Sequence, residues 1–105
     1  MKIKTSELTG AALDWAVAKC EGREWESADS FLAYHEPGDM NYSTDWAQCG
    51  PIIAREGVEF GASGMQASIV DGRTYYGSTH LIAAMRCYVA SKLGDEVEVP
   101  EELRE

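Results

Sequence analysis

Long apolar runs are missing from this sequence, and so are closely spaced cysteines, basic clusters and any histidine beyond two. Each absence removes a class of function. Without an apolar run of roughly 20 residues the chain offers no membrane-crossing helix. The start Met1-Lys2-Ile3-Lys4 leads into helix-start residues, not a secretory apolar core, so a cytoplasmic location is the expectation. Cys20, Cys49 and Cys87 are odd in number and far apart, which predicts reduced thiols and no metal site. Nine Lys plus Arg stand against eighteen Asp plus Glu, a net charge of −9. A broad nucleic-acid face needs clustered cations, so nucleic-acid binding is not expected. Acidic surface suits solubility or a basic protein partner.

What is present belongs to a folded domain. In 105 residues, 45% are hydrophobic and 10% aromatic, enough for one core and one domain over 1–105. Leu8, Ala11, Ala12, Trp15, Ala16 and Lys19 recur at helical spacing, with Thr5 and Ser6 ahead as start residues and Gly22 as the stop. Leu81, Ile82, Met85, Tyr88, Val89, Lys92 and Leu93 give a second helix, capped by Ser78 or Thr79 and closed by Gly94. Met65 to Val70 and Arg73 to Tyr76 flank Asp71-Gly72 as a hairpin. Two strands alone are marginal, so a third strand, a helix or another subunit must cover them. Lys2 to Lys4 reads as an edge strand with Ile3 inward, and Val97 and Val99 as a strand ended by Pro100. Residues 96–105 make an acidic tail, with a short helix or fraying expected beyond Pro100. The fold class expected is α+β: a small antiparallel sheet with two principal helices packed on it.

The stretch from Tyr42 to Ile53 is too polar for plain core and too apolar for a linker. Ser43 or Thr44 can cap a first helical turn, and Gly50-Pro51 reads as a second start, with Gly57 as a left-handed stop. Trp46 then has two readings: core filler in a well-capped connector, or the platform of a site with Tyr42, Asp45, Gln48 and Arg55 as its polar groups. The hydroxyl-rich start of the second helix, Ser78 and Thr79, suits an anion, with Arg73 and Arg86 as nearby charges. His35, beside Pro37-Gly38, reads more simply as solvated than as catalytic.

Three blocks together, Met1 to Ala18, Tyr42 to Ile53 and Leu81 to Asp95, closely resemble the NinX-like proteins of tailed bacteriophages and prophages, a family of unsettled role. The resemblance runs nearly end to end. It implies a phage accessory protein acting in the bacterial cytoplasm and brings no catalytic residues with it. The family pattern usually has glycine ahead of Gly50-Pro51 and Thr-Pro ahead of Leu81; here Cys49 and His80 stand in those places.

No nucleophile with its base, carboxylate pair or metal cluster is visible, and Asp45 with Glu56 follows no spacing rule, so an enzyme is not expected. The expectation is a binder without cofactors for a small, nucleotide-like molecule, sequestering a host immune signal. Tyr42 or Trp46 would stack on it; Ser43, Thr44, Asp45 and Gln48 would hydrogen-bond it; Arg55, Arg73, Ser78 and Thr79 would hold its anion. The alternative is an acidic protein-binding module that inhibits or modulates a host or phage enzyme. Apolar surface left over by so few elements predicts a homo-oligomer in either case.

Overall fold

The computed structural model describes residues 2–22, 31, 41–61, 66–68 and 74–103. Among them the architecture is α+β, with three helices and two small antiparallel sheets. Strand β1 (Lys2–Lys4) pairs with β5 (Glu96–Glu98), Ile3 opposite Val97. The second sheet has the order β2 (Glu59–Phe60), β3 (Gln66–Ser68) and β4 (Tyr75–Tyr76). Phe60, Ala67 and Tyr75 stand opposite one another and therefore share one face. β3 with β4 supplies the expected hairpin strands and β2 the third strand; the turn at Asp71-Gly72 lies outside the described residues.

Helix α3 (His80–Leu93) is the element on which the others rest. It packs against α1 (Gly10–Cys20), against the three-stranded sheet, and against α2 (Trp46–Glu56). Small residues make this possible: Ala12, Ala16, Ala83 and Ala84 are buried and let α1 and α3 approach closely, while Leu13, Val17, Met85 and Val89 are fully buried around them. Gly77, just before α3, marks another close approach. A Cβ there would lie 2.6 Å from the Ala83 amide nitrogen and 2.8 Å from Ile82 Cγ2, so only glycine fits.

Several boundaries follow local chemistry, and some move. Thr79 caps α3, its Oγ1 accepting from the Ile82 amide at 3.1 Å, and Gly94 follows its end. Thr5 and Ser6 do not start α1; they form a single 3₁₀ turn, Thr5–Glu7. Thr5 is fully buried, its Oγ1 donating to the Gly94 carbonyl at 2.6 Å and its amide to the Asp95 carbonyl at 2.7 Å. The acidic end is less solvated than its composition suggests: Val97, Val99 and Leu103 are all buried, the last on a short turn, Glu101–Leu103.

The central stretch forms one helix where two brief turns were expected. Pro51 sits inside α2, and Asp45, not Ser43 or Thr44, is the cap. An interior proline costs about 3 kcal/mol through its lost hydrogen bond and ring clash. Here the ring and Ala47, whose carbonyl loses its partner, are both exposed, so water replaces the bond. Cys49 and Ile52, buried on the opposite face, anchor the helix through the break, and Gly57 ends it at φ 69°.

Candidate functional site

The geometry around Trp46 begins with a turn. The Asn41 carbonyl accepts from the amides of Thr44 (3.1 Å) and Asp45 (2.9 Å), while the Asn41 amide donates to Gln48 Oε1 at 2.8 Å. Asp45 Oδ1 accepts from the Ala47 amide and Oδ2 from Gln48 Nε2, both at 2.9 Å. Asp45 and Gln48 thus use hydrogen-bonding capacity on the turn itself. Their effect is to fix the start of α2 and aim its first side chain, Trp46.

That side chain does not fill the core. Trp46 is 55% exposed, with the His80 ring centroid 6.5 Å away at a 49° tilt. His80, first residue of α3, also meets Phe60 edge-on at 5.5 Å. The structure therefore brings together an exposed indole, an exposed imidazole and a half-buried phenyl ring where α2 and α3 both begin, with Ser78 and Thr79 exposed beside them in sequence. Two stretches more than 30 positions apart meet here, and Trp46, Ser78 and Thr79 from the sequence reading share one region.

Other expected site residues lie elsewhere. Tyr42 is 8% exposed and Ser43 2%, so both belong to the interior. The Ser43 amide donates to Asp14 Oδ1 at 2.8 Å, and Ser43 Oγ is buried with no hydrogen-bond partner among the described residues. Thr44 is exposed on the turn, its hydroxyl 3.5 Å from the Asn41 carbonyl. Arg55 stands nine residues along α2 from Trp46, about 13 Å of helical rise. Its Nη2 and Nη1 reach Glu21 at 2.6 and 3.3 Å, and its Nε reaches Glu56 at 2.9 Å. Tyr88 donates its hydroxyl to Glu21 and accepts from Arg55 Nη2 at 3.2 Å, and Lys92 lies 3.6 Å from Glu56. This cluster ties the ends of α1, α2 and α3. Hydrogen bonds to Glu21 and Glu56 raise the Arg55 pKa; Arg55, the largest cause, pulls Glu56 below its ordinary value. Burial first, then the bond to Glu21, pushes the Tyr88 hydroxyl up. Arg73 and His35 lie outside the described residues.

Three residues that matter here were not singled out as site residues. His80 and Phe60 complete the aromatic group; in the sequence His80 is one of two imidazoles, adjoins the hydroxyls of Ser78 and Thr79, and stands where the resembled family has proline. Asp14, 2% exposed in the middle of α1, gave no signal, because its partner is a main-chain amide 29 residues away.

The thiols of Cys20 and Cys49 are poor nucleophiles at neutral pH. Burial, with Asp14 adding to it, pushes Cys49 up to about 12, and burial with Glu21 does the same for Cys20, also to about 12. None of the three cysteines is in a disulfide, and Cys49 and Cys87 are buried. Among the described residues no group of three or more His, Cys, Asp or Glu is placed to hold a metal ion, and no helix is long and apolar enough to cross a membrane.

The family described as Bacteriophage P22, NinX matches residues 4–92, spanning α1, α2 and nearly all of α3. The chain belongs to the NinX family. Membership marks it as a phage accessory protein. The matched span of this NinX-like chain takes in both halves of the aromatic group, Trp46 with Phe60 and His80. No curated protein sequence matches the chain.

Proposed function

We propose that this NinX-family protein is a non-enzymatic binder of a small, flat, nucleotide-like molecule and serves the phage by sequestering such a signal of its host. The exposure of Trp46 carries the reading. A large indole left more than half open to water, on a helix start braced by Asp45 and Gln48, loses little side-chain freedom when a ring stacks on it. His80 supplies a second ring and Phe60 the apolar floor. The anionic part of the ligand falls on the Ser78–Thr79 side, because Asp45 already sets a carboxylate at the start of α2.

Calorimetric titration against cyclic and linear nucleotides tests this. The expected result is saturable heat with at least one of them, weakened tenfold or more by Trp46→Ala and by His80→Ala. No heat with any nucleotide at micromolar protein overturns it.

The rival, an acidic module that blocks a host or phage enzyme, draws on the same exposed indole, since tryptophan is the favoured anchor of protein interfaces. A net charge of −9 suits a basic partner. Recovery of one specific protein in pull-downs, lost on Trp46→Ala, transfers the case to the rival. Self-association through Trp46 or Tyr76, exposed at 55% and 60%, would show in sedimentation as a concentration-dependent oligomer.

A further inference from the structure

The two arginines that the described structure places on α2 and α3 are treated very differently. Arg55, on the surface, has two carboxylates around it. Arg86, partly buried on α3, has none: its Nε donates to the Leu8 carbonyl at 2.7 Å and its Nη1 to the Tyr76 carbonyl at 2.6 Å, and no further partner is found among the described residues. Two main-chain acceptors hold the guanidinium rigid without neutralising it. Burial lowers its pKa. In a chain with twice as many acidic as basic residues, an ordered, partly desolvated cation with no ion-pair partner among the described residues is a costly arrangement.

The same guanidinium lines an open cleft of about 730 Å³ between β1, β4, β5 and the flank of α3. That volume falls in the usual range for small-molecule sites, roughly 300–1,000 Å³. Thr74 and Tyr76 line it beside Arg86, and Lys4, Asp95 and Glu96 line it from the two-stranded sheet. Lys4 stands opposite Glu96 in the β1–β5 ladder, and Asp95 Oδ1 accepts from the Tyr75 hydroxyl at 3.2 Å. Among the described residues Arg86 is thus the cation of this cleft held by main-chain acceptors alone, and Glu96 adds an exposed carboxylate to the same lining. Arginine carries five N–H donors, of which the two main-chain bonds use two. Its unused donors suit a carboxylate or phosphate.

We infer that this cleft is a second binding site, taking a small molecule that presents a carboxylate or phosphate to Arg86 and a hydrogen-bond donor, amine or hydroxyl, to Glu96. The site is separate from the Trp46 face and does not depend on it. The Arg86 side-chain N–H resonance reports one and the Trp46 indole N–H resonance the other.

Titrations of the full chain followed by nitrogen-edited NMR, with adenosine 5′-monophosphate, phenylalanine and inorganic phosphate as probes, decide the matter. The first two carry an oxyanion at one end and donors at the other, as a phosphate and a carboxylate respectively; inorganic phosphate carries the anion alone. Expected is a saturable shift of the Arg86 side-chain N–H with one of the organic probes, at least tenfold tighter than with phosphate. Thr74→Trp, which fills the cleft from an exposed position without removing a side-chain bond seen among the described residues, abolishes that shift. Glu96→Gln weakens it by severalfold. No Arg86 shift with any probe at millimolar concentration overturns the site. So does a shift that persists in Thr74→Trp, or one in which phosphate alone matches both organic probes.

Discussion

Helices α1 and α3 on one side and α2 on the other divide the labour of the fold. The first two are covered on most of their surface, seven residues of α3 being buried from Leu81 to Val89, and their polar positions are tied to the interior. Asp14 holds the Ser43 amide; Arg86 holds the carbonyls of Leu8 and Tyr76. Helix α2 buries only Cys49 and Ile52 and shows its remaining face to water. Stability is concentrated where alanines let helices touch. The helix with the smallest stake in the core carries the exposed indole, and it can change its outer residues at little cost to the rest.

The sharpest way to break that contrast is to damage one side and measure both properties. Leu13→Ala removes a fully buried side chain from the α1–α3 contact. It is expected to cost about 2–5 kcal/mol in denaturant unfolding, with ligand affinity unchanged in the fraction that remains folded. Asp45→Ala strips the cap that aims Trp46. The expected loss in stability is only about 1 kcal/mol. Its effect on nucleotide titration should exceed its effect on thermal unfolding, because the indole loses its fixed bearing.

The smallest effect concerns acid. Glu56 has its pKa held below the ordinary 4.5 by Arg55. A carboxylate depressed on folding adds stability above its unfolded value, and that stability disappears as pH falls through the folded value. Arg55→Gln should therefore lower stability by about 0.5–1 kcal/mol near neutrality, the range for an exposed pair. The gap between variant and wild type should close below pH 4.5 as Glu56 protonates. A gap that persists undiminished into strong acid would show that Arg55 acts by packing on the Tyr88 ring, 5.8 Å away, and not by charge.

Much of this division could be read from residue order alone, because it rests on local rules. The periodicities of α1 and α3, the Thr79 cap, and the stops at Gly57 and Gly94 all follow from residues within a turn or two of the boundary. The unreadable parts share one cause: their deciding partner is distant. Pro51 looks like a helix start until Cys49 and Ile52 are known to be anchored on one buried face. Trp46 looks equally suited to core and surface until His80 and Phe60 arrive beside it. Arg55 looks like a phosphate ligand, and Glu21, 34 residues earlier, claims it. Lys2–Lys4 and Glu96–Glu98 each read as strands too short to announce a mate, and they turned out to be each other's.

That last pairing bears on how the protein is made. While a ribosome is still producing α3, β1 has no strand to bind, and the Thr5 hydroxyl has no Gly94 carbonyl to accept its hydrogen bond. Closure between such remote segments is the slow kind of folding event. For the nascent chain, the final clasp waits until β5 has cleared the exit tunnel, and up to that moment the start of the chain is an unguarded edge.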